Sequence, residues 1–146
     1  MKQIPLALGL FLATLVVGPL TAQSYDDGRE PIYLSGAERA DLLAEMRGFL
    51  ETVQGTMDAL VSQDMVAIAE LNAASGLRAT VGTPESLTAK LPEPFRLLGL
   101  STHNLFDGIA REATDLGDPA VITEQIGGLL ANCTSCHATY RFEVEN

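Results

Sequence analysis

Residues 118–142 read DPAVITEQIGGLLANCTSCHATYRF, and the reading of this stretch decides the fold. Asp118-Pro119 opens a helix, a capping carboxylate followed by proline at the first helical position. Val121, Ile122, Ile126, Leu129, Leu130 and Cys133 keep one face of it apolar, and the spacing predicts a helix to about Phe142. Near its end stands Cys133-Thr134-Ser135-Cys136-His137. These are the only two cysteines of the chain, so neither has a third partner for a structural bridge.

Cys-x-x-Cys-His is the attachment motif for covalent c-type haem. Two thiols three residues apart on one turn can each add to a haem vinyl group, and the adjoining histidine then lies under the iron as an axial ligand. Three other readings compete: a thiol-redox pair, a zinc half-site, and chance. A thioredoxin-like pair should follow a strand in a βαβ unit, and no stretch alternates as a strand does. Zinc takes four ligands, and His103 is the one other histidine.

Outward from the motif the signals stay helical. Ser35 with Glu38 forms a capping box, after which Leu43, Met46, Leu50, Val53, Met57 and Leu60 mark a helix to about Val61. Asp64 caps a second helix with Met65, Ile68, Ala69, Leu71 and Leu77, and Gly76 lies near its end. Thr83-Pro84 opens a single turn before Leu91-Pro92-Glu93-Pro94. Pro94 suits the start of a third helix carrying Phe95, Leu98, Leu105, Phe106, Ile109 and Ala113, which Gly117 ends. Four helices with short links predict an all-α fold, an antiparallel up-down-up-down four-helix bundle.

The N-terminus reads as a secretory signal over residues 1–22. Lys2 gives the positive region, Ile4 to Leu20 the apolar stretch, and Leu20-Thr21-Ala22 a cleavage site. The competing reading is an uncleaved anchor, but Pro5, Gly9, Gly18 and Pro19 interrupt a run that barely reaches the ~20 residues a span needs. Export suits the motif, because bacteria attach c-type haem outside the cytoplasmic membrane, so a periplasmic location is expected. Cleavage after residue 22 of 146 leaves 124 residues, enough for one domain. These divide into a flexible leader, 23–34, and a helical haem domain, 35–146. Loss of Lys2 leaves 8 basic against 19 acidic residues, a net charge near −11. Nucleic acid is excluded as a partner, since phosphate contacts need clustered Lys and Arg. The acidic surface serves solubility or basic redox partner proteins.

The tail places the chain by resemblance. Cys133-Thr134-Ser135-Cys136-His137-Ala138-Thr139-Tyr140-Arg141 matches Cys-x-x-Cys-His, two residues, an aromatic, then Arg or Lys. That pattern resembles the cytochrome c′ family, the class II c-type cytochromes, whose motif is C-terminal in a four-helix bundle. From about Ser35 onward the likeness is one of helix count and order; only the tail is motif-specific. It implies one covalent haem c on Cys133 and Cys136, with His137 as proximal iron ligand. Arg141 would lie on the proximal face, one turn beyond His137, or else complete the helix C-terminus as an ordinary cation. Tyr140 reads as packing.

The resemblance also frames the iron's other face. In cytochromes c′ that face is apolar and open, and the iron binds nitric oxide or carbon monoxide. In low-spin relatives a first-helix methionine fills it and the protein carries electrons. Alignment by eye puts Leu50 at the distal position, which predicts an open site; Met46, one turn earlier, is the alternative sixth ligand. Met57 and Met65 are too distant; His103 is a further ligand candidate, though it reads first as a partly exposed residue on the flank of helix three. The expected function is therefore a periplasmic monohaem cytochrome carrying electrons, binding small gases, or both. Haem catalysis needs polar acid/base groups, and Leu42, Leu43, Met46, Phe49 and Leu50 supply none, so an enzyme is not expected. Family members also dimerise through the first two helices, and Leu42, Phe49 and Val61 form a second apolar edge that could serve such a homodimer or cover the haem.

Overall fold

A computed structural model describes residues 27–145; the signal reading therefore lies outside the described residues. The described residues are mostly helical (77%) and form five helices. In chain order the elements are β1 (Glu30–Leu34), α1 (Gly36–Ser62), α2 (Met65–Ser75), a 3-10 turn (Leu77–Thr80), α3 (Glu85–Lys90), α4 (Glu93–Asp115), α5 (Pro119–Thr139) and β2 (Tyr140–Val144).

The helix ends follow from local chemistry. At α1 the capping box is complete: Glu38 N–H donates to Ser35 Oγ (3.2 Å) and Ser35 N–H to Glu38 Oε2 (2.8 Å). Asp64 and Asp118 cap α2 and α5 by accepting from the amides of Ala67 (3.0 Å) and Ala120 (2.8 Å). Gly117 turns the chain out of α4 at φ +65°, a conformation that favours glycine.

Two apolar cores hold the helices. The first joins Ala59 of α1, Ile68 of α2, Phe106, Ile109 and Ala113 of α4, and Ile122, Ile126 and Leu129 of α5. Each large side chain fully buried there contributes roughly 1.5–3 kcal/mol. The second gathers Ile32 and Leu34 of β1, Leu87 of α3, Phe95 of α4 and Tyr140 of β2. Backbone packing runs α1 on α2, α2 on α4 and α4 on α5, while α1 and α5 lack an extended contact.

Two expectations from the sequence are corrected. The last helix ends at Thr139 rather than Phe142, and residues 30–34 are ordered rather than a loose leader. The two segments pair as parallel strands, Glu30 opposite Tyr140 through Leu34 opposite Val144. The reason is that neither segment can be satisfied alone. Ile32 and Leu34 bury their side chains, while β2 supplies the backbone partners. Five residues with two buried positions gave too little alternation to read as a strand.

A Cβ at Gly76 would lie 1.8 Å from Asp107 Oδ1, and Asp107 Oδ2 holds the amide of Leu77 at 3.0 Å. Gly76→Ala should therefore cost about 1–3 kcal/mol, read as a lower melting temperature. Lys90, with the Ser35 amide, holds the Glu38 carboxyl down to about 2 from an ordinary 4.5. A depressed carboxyl stabilises fully above its unfolded value and loses that contribution as pH falls through the folded one. Thermal melts of the wild type should weaken between pH 4.5 and about 2, and Glu38→Gln should flatten that part of the profile.

Candidate functional site

Sparse backbone contact between α1 and α5 leaves a cleft between them. Its outer part, of about 490 Å³, lies between Leu43, Met46 and Leu50 on one side and Leu129, Cys133 and His137 on the other. That is within the ~300–1,000 Å³ usual for cofactor sites. An inner cavity of about 90 Å³ runs beneath, bounded by Met46, Phe49, Phe95, His103, Cys133 and Cys136. A third, of about 220 Å³, opens toward the strands among Arg29, Arg39, Cys136, Tyr140 and Arg141. Met46 and His137 are the two residues that line all three.

The helical phase of α5 explains how the motif faces this space. Ile122, Ile126 and Leu129 are buried in the first core, and Cys133 continues their face. Cys136 packs on the second core. The two sulfurs thus stand where the cores part. Burial pushes both thiols up from the ordinary range. That is the opposite of the lowered thiol a redox Cys-x-x-Cys uses. No group of three or more His, Cys, Asp or Glu suited to a metal ion exists among the described residues, so a zinc centre has no ligand set there. Two half-buried, protonated thiols, an exposed imidazole and an apolar cleft fit a covalently held haem.

The other residues singled out by the sequence fall as follows. Leu50 sits at the mouth of the outer cleft, 66% exposed, and borders that cavity without the other two. Met57 and Met65 border none of the three. Leu42 and Phe49 turn inward to the inner cavity, whereas Val61 stays exposed. Tyr140 is buried, with its ring edge-on to Phe95 at 5.4 Å, and burial raises its phenol. Arg141 is in β2, not one helical turn beyond His137, because α5 has already ended; it still borders the third cavity with His137. Its Nε donates to the Arg29 carbonyl at 3.1 Å and its guanidinium pairs with Glu143. Arg29 in turn donates to the carbonyls of His137 and Tyr140, each at 3.4 Å, at the end of α5.

His103 is corrected outright. It is 5% exposed, not a partly exposed flank residue. The signal was present: His103 precedes Phe106 by three and Ala110 by seven, so it shares their buried face. With Glu45, which also borders the inner cavity, it places polar groups where the sequence reading had none. Burial raises the Glu45 carboxyl, opposed by His103.

Comparison of the chain with protein-family models, curated proteins and solved structures yields no match.

Proposed function

We propose that the protein is a monohaem c-type cytochrome of the cytochrome c′ arrangement, an antiparallel helical bundle that carries electrons with Met46 as sixth ligand. The observation that carries this reading is the sharing of all three cavities by Met46 of α1 and His137 of α5, on either side of the cysteine-lined gap. Leu50, the residue an open gas-binding site would place there, lies instead at the solvent end of the cleft.

When bound, the haem supplies a one-electron iron couple. The chain's residues do the rest. Cys133 and Cys136 would hold it by thioether links, and His137 and Met46 would offer a nitrogen and a sulfur to its iron. Leu43, Phe49, Leu129 and Phe95, which line the cavities, would exclude water from the group, and low water access helps set the potential. Arg29 holds the last carbonyls of α5, and with them the backbone of His137. The substrate class is then the electron alone, exchanged with a redox protein after export to the periplasm. The acidic surface favours a basic partner steered by charge at low salt.

Visible spectra of the matured protein test the reading. The reduced protein should show split low-spin bands that carbon monoxide leaves unmoved, and Met46→Ala should convert it to a form that binds carbon monoxide. A wild type that is high-spin and takes up carbon monoxide would replace Met46 ligation by the open, gas-binding site.

A further inference from the structure

His103 ties three helices together at the level of the cleft. Its Nδ1 lies 2.8 Å from the Ser75 carbonyl. A carbonyl only accepts, so Nδ1 carries the hydrogen and Nε2 is the nitrogen turned toward α1. There Nε2 stands 3.6 Å from Glu45 Oε1. The ring also meets Phe49 edge-on, centroids 5.1 Å apart. Ser75, the last residue of α2, is itself bonded to α1, its Oγ 2.7 Å from Thr52 Oγ1. One side chain of α4 therefore holds the end of α2 and, through Glu45, Phe49 and Ser75, fixes α1 on both sides of one helical turn.

Met46 belongs to that turn. We infer that His103 is a positioning residue for Met46, holding the α1 turn Glu45–Phe49 against α4 so that Met46 stays opposite His137. The inference rests on the proposed ligation by Met46. The need for such a clamp is physical. Without extended direct contact between α1 and α5, the distance of α1 from the histidine-bearing helix is set indirectly, through α2, α4 and the strands. A buried imidazole hydrogen-bonded to the Ser75 carbonyl, edge-on to Phe49 and with Glu45 Oε1 at 3.6 Å from its other nitrogen, gives a fixed distance where apolar packing alone tolerates sliding. Methionine, unbranched and flexible, does not set its own position.

The test uses the matured, haem-loaded protein and reads the fraction of reduced protein that binds carbon monoxide, together with the melting temperature. His103→Phe keeps the ring against Phe49 and removes both polar links. It should raise the carbon-monoxide-binding fraction about tenfold, the population change expected for loss of one buried hydrogen bond. His103→Asn, which can still donate to the Ser75 carbonyl, should fall between. Should His103→Phe not fold, Glu45→Leu cuts the α1 link from its partly exposed side and should give the same rise. A lower melting temperature without that rise, in these variants, would make His103 purely structural and overturn the inference. Met46→Ala separates the two claims. If it binds carbon monoxide fully while the His103 and Glu45 variants do not, the inference alone fails. If Met46→Ala leaves the spectrum of the wild type unchanged, the ligand assignment fails and the inference with it.

Discussion

The separation of α1 from α5 is the constraint on which the rest of the molecule depends. α1 packs on α2, α2 on α4 and α4 on α5, but the ring of contacts is left open at the last junction. Apolar side chains from both helices face the gap. A cleft of that size, lined by Leu43, Met46, Leu50 and Leu129, is unfavourable in water because large apolar area stays hydrated. A flat macrocycle covalently tied to Cys133 and Cys136 would bury it. On the proposed reading the prosthetic group would be part of the packing as well as the source of the chemistry, in a chain without tryptophan and with few aromatics.

The strands solve a second problem created by the motif's place in the chain. His137 is two residues from the end of α5, where helices fray and carbonyls lack partners. Pairing β1 with β2 fixes the chain just beyond, and Arg29 satisfies the carbonyls of His137 and Tyr140. Lys90 reinforces the same end from α3, reaching Glu38 of α1 at 2.8 Å and Glu145 at 3.0 Å. The second core, centred on Phe95 and Tyr140, is therefore a buttress for the histidine-bearing turn. The first core, centred on Phe106, holds the far end of the cleft shut.

Much of this was legible in the residues. Ser35 with Glu38, Asp64, and Asp118-Pro119 announce three helix starts, and each caps a helix as its chemistry requires. The motif cysteines and histidine come out facing one cleft because helical spacing admits little else. What escaped the sequence depended on partners distant along the chain. β1 and β2 are five residues each, and every residue lies 110 positions from its partner, as Pro31 does from Arg141, so neither has a local signal. His103 looked like a flank residue because its partners, Ser75 and Glu45, come from two other helices. Periodicity also puts Met46 and Leu50 on the same face of α1, and spacing alone does not separate them; Met46 borders all three cavities with His137, whereas Leu50 borders only the outer one.

The proposed cytochrome depends on covalent attachment of one haem through Cys133 and Cys136. Intact mass under denaturing conditions, on protein matured in cells that carry out c-type haem attachment, reads that bond. The chain should be heavier by one haem, with the added mass lost when both cysteines are replaced by serine. A chain at its bare polypeptide mass, or an increment that survives the double replacement, would contradict it.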